Sequence, residues 1–214
     1  MNTYIRHAYQ NRIQCTHQIS LSSTAQFHTI PAQYHGKTVL VGVDDLDIFK
    51  GIELKLEAME RVLREYPELR GQLVLVQITN APRADSPDLL EVHQYIMHLV
   101  ERINTEYGSG DYKPIVWETM QAMHDRVAYY SIADVAVVTA TRDGMNLVPY
   151  EYVTCRQGAQ ESPLPSMLVV SEFVGCSPSL SGAIRCAHVV DHALKLCFLC
   201  RSTVVCLCVS CVQM

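Results

Sequence analysis

Short apolar runs alternating with amphipathic stretches fill the middle of this chain and leave it few folds to choose from. Val39-Leu40-Val41-Gly42-Val43 has no polar face, as a strand buried on both sides requires. Over residues 51–66, Ile52, Leu56, Met59, Leu63 and Tyr66 recur at steps of four and three, the period of a helix with one apolar stripe, and Pro67 stops it. Leu73 to Ile78 repeats the strand texture. Asp85-Ser86-Pro87 offers a cap and first turn to a helix running to about Ile103, with Leu89, Val92, Ile96, Leu99 and Ile103 on one face. The same reading predicts strands at Pro114–Trp117, Asp134–Thr139 and Ser166–Val170, and helices at Gln121–Ile132 and Asn146–Cys155. Strands alternating with helices, and apolar on both faces, imply an α/β fold: a parallel sheet with helices on both sides, wound right-handed in a doubly wound order.

Composition agrees with one packed domain and narrows the partners. Of 214 residues, 49% are hydrophobic and 18% charged, which excludes a disordered chain. Seventeen Lys and Arg against 22 Asp and Glu give a net charge of −5, so a generally basic nucleic-acid or anionic-membrane surface is not expected. Residues 1–31 are polar and without period, and read as an irregular arm. His7, His17, His28 and His35 fall in or beside it at spacings that converge on no regular element, so no metal site is expected there. Met1 to Arg12 has no apolar core of a secretory signal, and a cytoplasmic body follows.

The far end is compositionally foreign. Six of the nine cysteines (Cys186, Cys197, Cys200, Cys206, Cys208 and Cys211) lie in residues 186–214. Cys197-x-x-Cys200 and Cys208-x-x-Cys211 have knuckle spacing, but seven residues separate the pairs, fewer than the roughly 12–20 of zinc modules. Lys195 and Arg201 interrupt a stretch barely long enough for a membrane span. The tail therefore reads as a segment apart from the body of residues 32–185.

In an open parallel sheet, ligands bind beyond the carboxyl ends of the strands. Two segments follow strands there. In Gly42 to Gly51, Lys50 lies near a helix start, where a cation and backbone N–H groups together favour phosphate. The same spacing also suits a solvated acidic turn with a surface lysine. In Thr139 to Glu151 a glycine-containing turn enters a helix, whose free N–H groups can bind a diphosphate and whose Glu151 can accept from ribose hydroxyls. A plain Asp-Gly turn with a capping role is the competing reading. The phosphate-binding signatures G-x-G-x-x-G and G-x-x-x-x-G-K-[ST] and the nucleophile elbow G-x-S-x-G are all absent.

Three ordered strings add a resemblance. Val43-Asp44-Asp45-Leu46-Asp47-Ile48-Phe49-Lys50-Gly51, Arg142-Asp143-Gly144-Met145-Asn146-Leu147-Val148-Pro149-Tyr150-Glu151-Tyr152 and Ser171-Glu172-Phe173-Val174-Gly175-Cys176-Ser177-Pro178-Ser179-Leu180-Ser181-Gly182-Ala183 closely resemble the trehalose-6-phosphate synthases, nearest the plant class II branch. The resemblance spans about residues 32–185. It implies the Rossmann-like, donor-binding C-terminal half of a glycosyltransferase-B fold. The reaction implied is transfer of glucose from UDP-glucose to glucose-6-phosphate with retention, without metal or other cofactor.

By position, the resemblance matches Lys50 to the donor diphosphate and Asp143, as the catalytic acid residue, to the glucose hydroxyls. Gly144, Met145, Asn146, Leu147 and Val148 match the turn whose amides approach sugar and phosphate, and Glu151 matches the ribose carboxylate. One residue departs from the pattern: Asp45 stands where active synthases carry an arginine on the diphosphate. Such a contact is worth about 4 kcal/mol at 4 Å and an effective dielectric near 20, so the change opposes an anionic donor. The resemblance places the glucose-6-phosphate site in a preceding half that this sequence does not contain, which suggests association with full-length family members. The alternative is a non-catalytic regulatory or UDP-sugar-binding module of the class II type.

Overall fold

The structure, a computed structural model, describes residues 33–80, 86–119, 123–157 and 167–186. The polar arm of residues 1–31 and the cysteine-rich tail, Cys186 excepted, lie outside the described residues. Six parallel strands form one sheet: β1 (Thr38–Asp45), β2 (Leu73–Asn80), β3 (Ile115–Thr119), β4 (Val135–Val138), β5 (Met167–Ser171) and β6 (Ile184–Cys186). Their order is β3-β2-β1-β4-β5-β6, the doubly wound arrangement expected from the alternation.

Strands β1 to β5 send alternate residues to two separate cores, which is why their runs lack a polar face. On one side Leu40, Leu73, Leu75, Ile115, Val135 and Val137 meet α1 (Ile52–Glu65) and α2 (Pro87–Tyr107). Ile52, Leu56, Met59 and Leu63 of α1 are fully buried there, each stabilising by roughly 1.5–3 kcal/mol relative to exposure. On the other side Val39, Val41, Val74, Val76, Ala136 and Val138 meet α3 (Met123–Ile132) and α4 (Val148–Gln157), chiefly through Tyr130, Tyr152 and Val153, with Ala133 just after α3. Asp134, at the mouth of β4, accepts the Val39 amide at 2.9 Å and ties β4 to β1.

The element bounds move for identifiable reasons. Ser86 caps α2 as expected, its Oγ accepting from the Leu89 amide at 3.2 Å, but the helix continues to Tyr107, whose buried ring extends the stripe before Gly108 ends it. The last helix was expected from Asn146 and starts at Val148, because the Asn146 side chain accepts the Val148 amide and so caps the helix from outside it. β6 was not expected at all: three residues are too few to show a period. Cys186, which the sequence reading assigned to the tail, ends that strand and is buried.

Candidate functional site

The sheet order creates the site. From β1 the chain crosses over to β2, from β4 it crosses in the opposite direction to β5, and β1 and β4 are neighbours. Diverging crossovers leave a crevice at the carboxyl ends of this pair, the usual ligand position in such sheets. The segments leaving β1 and β4 are stitched together across it. Thr141 N–H donates to the Phe49 carbonyl at 2.9 Å, and Thr139 Oγ1 donates to the Gly51 carbonyl at 2.7 Å. Gly51 holds φ at 61°, and a Cβ there would fall under 3.0 Å from the Thr139 carbonyl, so this junction requires glycine.

A cleft of about 560 Å³ opens above the junction, and Lys50, Asp143, Met145, Asn146, Leu147, Val148 and Glu151 all line it. Lys50 Nζ and Asp143 Oδ2 form an ion pair at 2.8 Å with about a fifth of each side chain exposed. Asn146 Nδ2 donates to the same Oδ2 at 2.9 Å, while Asp143 Oδ1 accepts the Gly144 amide at 2.9 Å. Asp143 is thus held from three sides by the turn and by Lys50.

The turn amides divide into committed and open ones. Gly144 N–H goes to Asp143, Asn146 N–H to the Gly144 carbonyl at 3.1 Å, and Val148 N–H to Asn146 Oδ1 at 3.0 Å. Among the described residues the Met145 and Leu147 amides have no acceptor, and these two side chains stand exposed at the rim. Gly144 has neither a positive φ nor any neighbour within 4 Å of a built Cβ, so the protein itself does not demand glycine there.

Glu151, in the first turn of α4, is anchored by α3. Its Oε2 accepts from Tyr130 Oη at 3.1 Å and faces Arg126 Nη1 at 3.3 Å. Burial, and then the Glu151 charge, push the Tyr130 phenol well above its ordinary range, so it stays protonated and donates. Asp45 also lines the cleft, with Oδ1 accepting from Asn80 Nδ2 at 2.8 Å. Asp44, beneath it, is neutralised by buried Lys55. The remaining lining carries Asp45, Asp47, Asp143 and Glu151 against Lys50, Arg126 and Arg142. Lys50 and Arg126 face carboxylates, whereas Arg142 lies over the Phe49 ring at 6.0 Å.

Sequence reasoning missed Arg126, Tyr130, Asn80 and Arg142 as members of this site. Arg126 and Tyr130 sit in a helix whose sequence gives only a weak periodicity, and they meet Glu151 through tertiary packing alone. Arg142 adjoins Asp143, the one signal available. Among the described residues no three or more His, Cys, Asp or Glu side chains are placed to hold a metal ion, and no helix is long and apolar enough to cross a membrane.

The comparisons with known proteins converge on one family. The model of glycosyltransferase family 20 matches residues 12–187, starting earlier than the motif strings alone suggest. The chain is 54% identical over 160 residues to probable alpha,alpha-trehalose-phosphate synthase [UDP-forming] 7 of Arabidopsis thaliana, covering 72% of this chain and 19% of that protein. It is 52% identical over 164 residues to alpha,alpha-trehalose-phosphate synthase [UDP-forming] 5 of the same plant, with 72% and 19% covered. This chain therefore spans about a fifth of the length of these relatives. The crystal structure of an alpha,alpha-trehalose-phosphate synthase (UDP-forming) from Burkholderia xenovorans in complex with glucose-6-phosphate superposes with a TM-score of 0.74 at 30% identity, over 81% of this chain and 38% of that one. With the parallel sheet, the crevice between β1 and β4 and a family match over most of its length, the chain belongs to glycosyltransferase family 20.

Proposed function

We propose that this cleft is the UDP-glucose donor site of a trehalose-6-phosphate synthase-like glycosyltransferase. The observation that carries the reading is convergence: Lys50 and Asp143, 93 residues apart, meet at 2.8 Å in the cleft that Glu151 also lines. Lys50 would bind the diphosphate, Asp143 the glucose hydroxyls and Glu151 the ribose. The open Met145 and Leu147 amides would supply neutral donors to phosphate and sugar oxygens. Lys50 and Asp143 pair with each other across the cleft; a diphosphate would take over Lys50 and release Asp143 to the sugar.

The family reaction moves glucose from UDP-glucose to glucose-6-phosphate, giving trehalose-6-phosphate and UDP with retention. It needs both substrates held together, and orientation of that kind supplies roughly 7–11 kcal/mol of a barrier. The cleft provides the donor side; the glucose-6-phosphate side would come from a facing half of the fold. The thiols of Cys176 and Cys186, each buried in a different core, suit a reducing, cytoplasmic setting.

Calorimetric titration of the full chain with UDP tests the donor reading. Lys50→Ala is expected to weaken binding by about 1.5–3 kcal/mol, the worth of a charged hydrogen bond. Asp45→Arg is expected to tighten it and to steepen its salt dependence, because a phosphate contact replaces a repulsion. Absence of UDP binding, or indifference to both substitutions, would refute the donor assignment.

A further inference from the structure

Glu151 reaches the cleft from α4, but what fixes its carboxylate lies in α3. Both of its donors, Tyr130 Oη at 3.1 Å and Arg126 Nη1 at 3.3 Å, meet Oε2. Oε1 takes no hydrogen bond from the described residues. The two donors differ in kind. Arg126 lines the cleft on a long, flexible side chain, so an anionic ligand can draw its guanidinium away. Tyr130 is 1% exposed and does not reach the cleft. Its ring stands edge-on to Tyr152, centroids 6.1 Å apart, and the Tyr152 hydroxyl is itself anchored on the Ala133 and Asp134 carbonyls at 3.0 Å each, at the entrance to β4.

We propose that Tyr130 is a positioning residue for nucleotide recognition: it pins Glu151 Oε2 from behind so that Oε1 is presented to the ribose hydroxyls of a nucleoside diphosphate. The inference rests on the donor-site reading and adds a residue to it. A carboxylate held by one rigid donor keeps its second oxygen aimed before the ligand arrives, whereas an unpinned one rotates and loses directional preference. Burial of Tyr130 serves this role, since a phenol surrounded by apolar groups and facing a carboxylate remains a donor throughout the working pH range.

The test is discrimination between ligands, measured by calorimetry on the full chain with UDP and with 2′,3′-dideoxy-UDP, which lacks both ribose hydroxyls. The wild type is expected to prefer UDP by about tenfold, close to 1.4 kcal/mol. Tyr130→Phe removes one hydroxyl and leaves the ring packed on Tyr152. It is expected to weaken UDP several-fold, leave the dideoxy compound unchanged and so shrink the preference. A merely structural role would weaken both ligands together, and an unchanged preference in a folded Tyr130→Phe protein overturns the inference. If Glu151→Gln collapses the preference while Tyr130→Phe keeps it, the donor site stands and the positioning role falls. If the wild type shows no preference for ribose hydroxyls, the assignment of Glu151 falls, and the role of Tyr130 with it.

Discussion

Two ion pairs lie within a few residues of each other at the end of β1 and the start of α1, and they have opposite characters. Lys55 and Asp44 meet at 2.6 Å with side chains only 1% and 0% exposed. Lys50 and Asp143 meet at 2.8 Å with 20% and 18% exposed. In the first pair Gln77 completes a closed triangle, accepting from Lys55 Nζ at 2.9 Å and donating to Asp44 Oδ2 at 3.0 Å. Gly42 leaves the room for it, since a Cβ there would come under 3.0 Å from both Lys55 Nζ and Gln77 Oε1. The second pair joins two loops and opens on the cleft, where solvent reaches both charges. The same two charge types at nearly the same place thus do different work, and solvent access decides which: water-shielded charges cannot be left unpaired, while exposed ones can.

Removing the lysine from each pair should show the largest contrast. Lys55→Met strands the Asp44 carboxylate in the core and is expected to cost about 3–5 kcal/mol of folding stability. Lys50→Met leaves Asp143 with two protein donors and some water, and is expected to cost within about 1 kcal/mol. Urea denaturation of the two variants measures both. Equal losses would break the distinction between a buried structural pair and an exchangeable one.

Gly42→Ala sharpens it at intermediate size. Forcing a methyl group against the Lys55–Gln77 contact overpacks the triangle and is expected to cost about 1–3 kcal/mol, with UDP affinity preserved. A change in UDP affinity at constant stability would mean that the triangle and the cleft form one unit.

How much of this was legible in the sequence differs by level. The parallel sheet was, because both-sided burial leaves runs such as Val39 to Val43 without any polar face. The edge strand Ile184–Cys186 was not, being shorter than any period. Where the cleft would lie followed from the two segments that leave strands at their carboxyl ends, but spacing alone left Lys50 open between phosphate ligand and surface lysine, and only the motif strings singled it out. Lys55 carried a signal that went unread: it lies three residues after Ile52 and four before Met59, on the apolar stripe of α1, where a lysine must find a buried partner. The contact of Tyr130 with Glu151 had no such mark, because it joins residues 21 apart, on two different helices, through packing.

The smallest expected effect probes the seam between the two regions. Glu53, in the first turn of α1, is partly buried, and its Oε2 has no hydrogen-bond partner among the described residues. Burial pushes its carboxyl above the ordinary value of 4.5; its own backbone amide lowers it, Glu57 raises it, Lys55 lowers it and Asp44 raises it. Because the folded value lies above the unfolded one, the folded state holds the proton more tightly as pH rises through this window. The contribution of Glu53 to stability is therefore complete below pH 4.5 and is lost as pH climbs through the raised value. Glu53→Gln abolishes that titration, so its stability should fall less than that of the wild type between mildly acidic and neutral pH, by an amount smaller than the Gly42→Ala effect. Urea midpoints across this range measure the two slopes. Since the Lys55 charge lowers the Glu53 value, Lys55→Ala should widen the slope difference between Glu and Gln at residue 53, whereas Lys50→Ala should leave it unchanged. Parallel pH curves for wild type and Glu53→Gln would show that the charge at residue 53 is already solvated, and that the buried region ends at Asp44 and Lys55.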